Sequence, residues 1–166
     1  MEEIYIKYSR LVYNYLYRLT NNVELSEELT QETFYSAIKG IKNFKNKSNI
    51  SVWLCQIAKN EWKDYLKKSK KIKTVPIDDR LEYVDTEDNI EDNLLTKEEK
   101  INFYKKVHNL DSNTKEVIYL RINCEFSFKE IANIFEKSEE WARITFHRGK
   151  IKLREEFNNE KRVWNR

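Results

Sequence analysis

The chain has 166 residues, 40% hydrophobic and 36% charged, with only two glycines and one proline. That length allows one domain or two small ones, and so few chain breakers point to long helices and exclude an all-β or Rossmann-type fold. The net charge of +3 conceals a partition into opposed blocks. Residues 42–73 hold ten lysines against Glu61 and Asp64, a net +8, whereas residues 78–99 hold ten acids against Arg80 and Lys97, a net −8.

Apolar residues at Ile4, Tyr8, Leu11, Val12, Tyr15, Leu16 and Leu19 step by three and four, predicting a first helix that ends at Asn21-Asn22. A second helix is expected over about 24–42, with Leu29, Phe34, Ala37, Ile38 and Ile41 turned inward. Residues 43–51 lack periodicity and read as a loop. A third helix runs from about Ser51 to Lys70, with Leu54, Ala58, Trp62 and Tyr65 on its core stripe. Gln56, Asn60, Lys63 and Lys67 recur on a different, polar face of that helix.

The only proline, Pro76, and most of the acid block fall in residues 74–95, a composition that marks a flexible acidic linker. Thr96 and Glu99 have the spacing of a capping box opening a fourth helix with Ile101, Tyr104 and Val107 inward, and a fifth helix is expected over about 113–122. Ser127 and Glu130 repeat the capping-box spacing ahead of Ile131, Ala132, Ile134 and Phe135, and Ser138 reads as a second cap. A longer helix then places Ala142, Phe146, Gly149 and Leu153 on one face, and Arg143, His147, Lys150 and Arg154 on another, flanked by Arg148 and Lys152. From Arg143 to Arg154 inclusive there are five Lys or Arg and no acid. A short helix, a tight turn and a basic helix suit a DNA major groove, where arginine pairs bidentately with guanine and lysine neutralises phosphate. The fold class is therefore all-α: a helical bundle over 1–73, a linker over 74–95, and a helix-turn-helix domain over 96–166.

Three patterns occur in order: Glu-Glu-Leu-Thr-Gln-Glu-Thr-Phe at 27–34; Asn-Phe-Lys-Asn-Lys-Ser and Val-Trp-Leu-Cys-Gln-Ile-Ala-Lys-Asn within 43–60; and the helix-turn-helix preceded by Lys-Glu-Val-Ile-Tyr-Leu-Arg at 115–121. Together they resemble a bacterial sigma factor of the extracytoplasmic-function group, across nearly the whole chain outside the linker. The resemblance implies a factor that binds core RNA polymerase and directs promoter-specific initiation. It assigns Glu28, Leu29, Gln31, Glu32 and Phe34 to docking on the coiled-coil clamp of the largest polymerase subunit. Phe44 and Asn60 match positions that enclose a base turned out of the duplex, with Lys45, Lys47, Gln56, Lys63 and Lys67 on the melted strand. Ser138, Arg143, Ile144, Thr145, His147, Arg148, Lys150 and Arg154 match duplex-facing positions. Where the family often has Gly-Thr-Val-Lys-Ser-Arg, this chain has Glu140, Trp141, Ala142, Arg143, Ile144 and Thr145, which implies a different upstream element. The family also works under anti-sigma proteins, some membrane-anchored, and one is expected here.

Nothing in the sequence builds an enzyme site. There is no Gly-rich phosphate loop, no Ser-His or Cys-His arrangement and no carboxylate cluster in an apolar setting, so no catalysis, cofactor or small-molecule substrate is expected. Cys55 and Cys124 each lack a ligand-spaced partner and read as buried, reduced thiols, with no metal site. No apolar run reaches membrane-spanning length, and a cytoplasmic protein is expected. Two rival readings differ in class: a conventional regulator that binds its operator without polymerase, and a protein-binding helical adaptor.

Overall fold

The computed structural model describes residues 1–44, 49–71 and 97–164, and among these every regular element is helical. The chain divides into two compact units, one built on the first three helices and one on the last four. The Thr96 cap and the acidic segment 74–95 lie outside the described residues.

In the first unit, α1 spans Glu2–Thr20, α2 spans Val23–Gly40 and α3 spans Ile50–Lys71, with a 3₁₀ turn at Ile41–Asn43 after α2. Asn21 and Asn22 make the break between α1 and α2 by opposite means. Asn21 closes α1 in the left-handed region at φ 50°, its N–H donating to Tyr17 O, a conformation asparagine tolerates. Asn22 is extended, and its Oδ1 accepts from Leu25 N–H at 2.8 Å to cap α2. Val12, Tyr15, Leu16, Leu29, Phe34, Ala37, Val52, Leu54, Cys55 and Ala58 are buried between the three helices. Buried Thr30 and Thr33 are accommodated because their hydroxyls donate to the carbonyls one turn back, Ser26 O at 2.6 Å and Leu29 O at 2.7 Å. Ser36 on α2 donates to Glu61 Oε1 on α3 at 2.7 Å.

Two expectations for this unit, and one for the second, need correction. Ile38 is not inward but 54% exposed, because it falls on the same flank of α2 as Gln31 and Tyr35. Trp62 and Tyr65 are half-buried rather than core: their rings stack on each other, centroids 5.7 Å apart at 13°, beyond the stretch of α3 that carries Leu54 and Ala58. Cys55 is buried as expected, but Cys124, in the second unit, is half-buried; both are free thiols.

In the second unit, α4 spans Lys97–His108, α5 Ser112–Ile122, α6 Phe128–Phe135 and α7 Glu139–Trp164. Val107, Leu110, Ile118 and Leu153 form its core cluster, with Phe103 and Phe146 packed against it. Gly149 is where α7 crosses α5. A β-carbon there would stand 2.6 Å from Thr114 Cγ2 and 2.7 Å from Ile118 Cδ1, so only a residue without a side chain lets the helices approach this closely.

Asp111 caps α5 by accepting from Thr114 N–H at 3.1 Å, and Lys152 Nζ stands 3.9 Å from its other oxygen. Its carboxyl is held below the ordinary value of 3.8, first by the Thr114 hydroxyl, against desolvation, with the Thr114 amide and Lys152 adding to the lowering. A carboxyl depressed in the folded state stabilises the fold above its unfolded value, and that contribution disappears as pH falls through the folded value. Asp111→Ala is therefore expected to cost about 1 kcal/mol at neutral pH. Denaturant titrations at successive pH values should show the gap between wild type and variant closing in the acid range; a gap that persists there contradicts this role.

Candidate nucleic-acid and polymerase interfaces

The helix-turn-helix is built from local hydrogen bonds. Glu130 Oε2 accepts from both Ser127 N–H (2.8 Å) and Ser127 Oγ–H (2.9 Å), while Glu130 N–H donates to Ser127 Oγ at 3.2 Å, completing the expected capping box. Helix α6 ends with Glu136 at φ 55° and Lys137 N–H donating to Ala132 O at 3.0 Å, the six-to-one bond of a Schellman turn. Ser138 Oγ then accepts from Trp141 N–H at 3.1 Å and opens α7. Upstream, Arg121 Nη1 donates to Phe126 O at 2.9 Å and anchors the loop that leads into α6.

These bonds fix which face of α7 is free. Ala142 and Gly149 are buried, Leu153 is 6% exposed and Phe146 is half-buried, so the helix packs through the face expected. Arg143, Ile144, His147 and Arg148 are exposed, and Thr145 is half-buried at the flank. Ile144, at 41% exposure, sits in line with Ile151 two turns on, at 46%. Lys150 and Arg154, two and three turns on from Arg143, are also exposed, and with Phe103, Ile118, Ile122, Phe146 and Leu153 they line a pocket of about 260 Å³. Arg143, His147, Lys150 and Arg154 thus keep the common stripe their spacing predicts along the unbroken α7, with Ile144 and Arg148 beside it.

Arg143 is not a loose cation. Its Nη2 donates to Glu139 Oε1 at 2.9 Å, and its guanidinium lies 5.2 Å from the centre of the Phe128 ring. The same ring carries Arg121 at 4.8 Å and meets Phe146 at 5.6 Å. Sequence reading missed Glu139 as a partner, although its i, i+4 spacing from Arg143, acid first, was the available signal.

In the first unit, Glu28, Gln31 and Glu32 form an exposed polar ridge on α2. Leu29 and Phe34, each 5% exposed, lie beneath it in the core; Phe34 meets Tyr5 edge-on at 4.8 Å. These two support the ridge rather than present themselves to a partner. The ridge continues one turn further with Tyr35, 57% exposed under the Lys39 ammonium at 3.8 Å, and with Ile38. Tyr35 was absent from the sequence-derived set, though it follows Glu28 by seven and Gln31 by four.

Phe44 is half-buried and packs against Trp53, ring centres 4.8 Å apart, where Gly40 leaves room for the indole. Asn60 is exposed on α3, two turns beyond Trp53; Gln56 and Lys63 are half-buried and Lys67 is exposed, 3.4 Å from Asp64. Lys45 and Lys47 lie outside the described residues. Among the described residues no group of His, Cys, Asp or Glu could hold a metal ion, and no helix is long and apolar enough to cross a membrane.

Comparison with known proteins follows the same division. Residues 4–72 match the family model for sigma-70 region 2, nearly all of the first unit's helical bundle. Over 158 residues the chain is 30% identical to the ECF RNA polymerase sigma factor SigM of Bacillus subtilis, covering 95% of each chain. The chain belongs to the ECF RNA polymerase sigma factors. This sigma factor is also 27% identical over 155 residues to the RNA polymerase sigma factor YlaC of Bacillus subtilis, covering 93% of its own length and 90% of that protein. Its fold matches that of the sigma factor RpoE from Bartonella quintana, solved in complex with the anti-sigma factor NepR, with a TM-score of 0.69 at 20% identity over 93% and 94% of the two chains. As a sigma factor it acts in promoter-specific initiation of transcription.

Proposed function

We propose a division of labour between the two units. The unit over 1–73 docks on core RNA polymerase through Glu28, Gln31 and Glu32 and captures the melted minus-ten strand with Phe44 and Asn60, backed by Lys45, Lys47, Gln56, Lys63 and Lys67. The unit over 96–166 reads the duplex minus-thirty-five element through Arg143, Ile144, Thr145, His147 and Arg148, with Ser138, Lys150 and Arg154 at the edges on phosphate. Residues 74–95 connect them, so that binding of one unit raises the effective concentration of the other at the same promoter.

The observation that carries this reading is the two-faced recognition helix. Its inner face is locked to α5 at Gly149, and its outer face exposes Arg143, Ile144, His147 and Arg148 together. Arginine suits guanine, isoleucine suits a thymine methyl, and the flanking cations suit phosphate. Base capture fits the first unit because extruding a base costs a few kcal/mol, while stacking on an aromatic returns about 1–3 kcal/mol.

The protein is read as a cytoplasmic regulatory factor without catalytic chemistry or cofactor. Its partners are core polymerase, promoter DNA and an anti-sigma factor; the RpoE relative's complex with NepR supports the last. The deciding experiment is run-off transcription with core polymerase, with and without the chain. Initiation confined to particular promoters supports the proposal, whereas tight operator binding by the chain alone, with no effect on polymerase, supports a conventional regulator. Glu32→Lys is expected to weaken core-polymerase binding about tenfold or more, by placing a cation on an interface that uses an anion. Titration of labelled chain with core polymerase checks this, and undiminished affinity would remove Glu32 from the docking surface.

A further inference from the structure

An exposed ion pair one turn apart on a helix contributes little to stability, so the Glu139–Arg143 pair invites a functional account. Its setting is specific. Glu139 is the first residue of α7, one residue after the Ser138 cap, and the first turn of a recognition helix is the part that meets base edges. The two side chains are 49% and 61% exposed, facing outward. Arg143 is held on two sides, by Glu139 Oε1 at 2.9 Å and by the Phe128 ring at 5.2 Å. That ring is itself fixed against Phe146 and under Arg121, whose guanidinium is tied to Phe126 O. An arginine supported in this way keeps most of its five N–H donors while losing the freedom to find any nearby phosphate.

The acid beside it has a narrower repertoire. A carboxylate is repelled by phosphates and by the ring nitrogens and carbonyls that line most of the major groove. It finds an amino donor without an adjacent ring-nitrogen acceptor only at cytosine N4. We propose that Glu139 and Arg143 form a base-reading couple in which Arg143 takes guanine and Glu139 accepts from the amino group of a cytosine within one or two base pairs of it. Side chains at i and i+4 lie about 5–6 Å apart, which matches one to two base steps at about 3.4 Å each. The inference rests on the second unit being the duplex reader, and it adds a specificity residue that the basic face alone does not supply.

The test uses the full chain assembled with core polymerase on promoter fragments carrying every single-base substitution across the upstream element, with relative binding measured by competition. Wild type should prefer cytosine at one position by about ten- to a hundredfold. Glu139→Gln should move the preference at that position toward adenine, which a side-chain amide pairs bidentately. Glu139→Ala should flatten it, with preferences elsewhere unchanged. If both variants shift affinity by one common factor on every fragment and leave the profile intact, the pair serves only the helix and the proposal fails. If the wild-type holoenzyme shows no upstream sequence preference at all, the duplex-reading role of the second unit fails first, and this proposal with it.

Discussion

Gly149→Val is expected to destabilise the second unit severely while leaving the first intact. The β-carbon alone would enter at 2.6 Å from Thr114 Cγ2 and 2.7 Å from Ile118 Cδ1, and valine adds two methyl groups to that crossing. Ile118 can swing the end of its side chain. Thr114 cannot yield as easily, being short, β-branched, 6% exposed and bonded through its N–H to the Asp111 cap. Overpacking a close-packed site costs about 1–3 kcal/mol for small insertions and more when the backbone must part. Gly149→Ala should fall at the mild end, because alanine recovers about 1 kcal/mol of helix propensity. Valine regains less of that, and should cost about 3 kcal/mol or more, a large share of the stability of a small domain. Amide hydrogen exchange on the full chain resolves the two units: protection in α5 and α7 should collapse, and protection in α1–α3 should stay. Unchanged protection in α5 would show that the crossing is looser than the 2.6 Å approach requires.

The second large effect is expected at Asn60, where the fold should be indifferent and the chemistry should not. Its side chain is exposed on α3, so Asn60→Ala should change stability by less than about 0.5 kcal/mol. Losing an amide that hydrogen-bonds an extruded base removes about 1–3 kcal/mol of discrimination, and strand opening should fall about ten- to a hundredfold. Permanganate reactivity of thymines in the bubble reports opening, and titration with core polymerase reports docking. Opening should drop while docking stays; equal permanganate reactivity in variant and wild type would mean that Asn60 holds no base.

Much of this architecture was readable from residues alone, and the failures are informative. Capping pairs are local, so Ser127 with Glu130 and Ser138 with Trp141 appear where their spacing put them. Gly149 was conspicuous because a glycine inside a helix needs a reason, and the α5 crossing supplies it. Ile38 and Trp62 went wrong for one cause: periodicity tells which residues share a face but not how far a neighbouring helix covers it. The Asp111 cap passed unnoticed because the helix start was sought at Asn113 instead of Ser112. Of the candidate site, the exposed ridge on α2 and the outer face of α7 were legible as charge patterns. The burial of Leu29 and Phe34, the Phe44–Trp53 packing and the Phe128 platform under Arg143 were not, since each depends on residues from separate elements meeting.

The division of labour between the units is tested most directly by run-off transcription from one promoter supplied in two forms, fully duplex and with its start region already mismatched open. Asn60→Ala should be deficient on duplex template and recover on the open one, because the step it serves has been done in advance. Arg143→Ala should be deficient on both, because its contacts are to duplex that remains upstream. If pre-opening rescues Arg143→Ala as well as Asn60→Ala, or rescues neither, the assignment of melted strand to one unit and intact helix to the other is wrong.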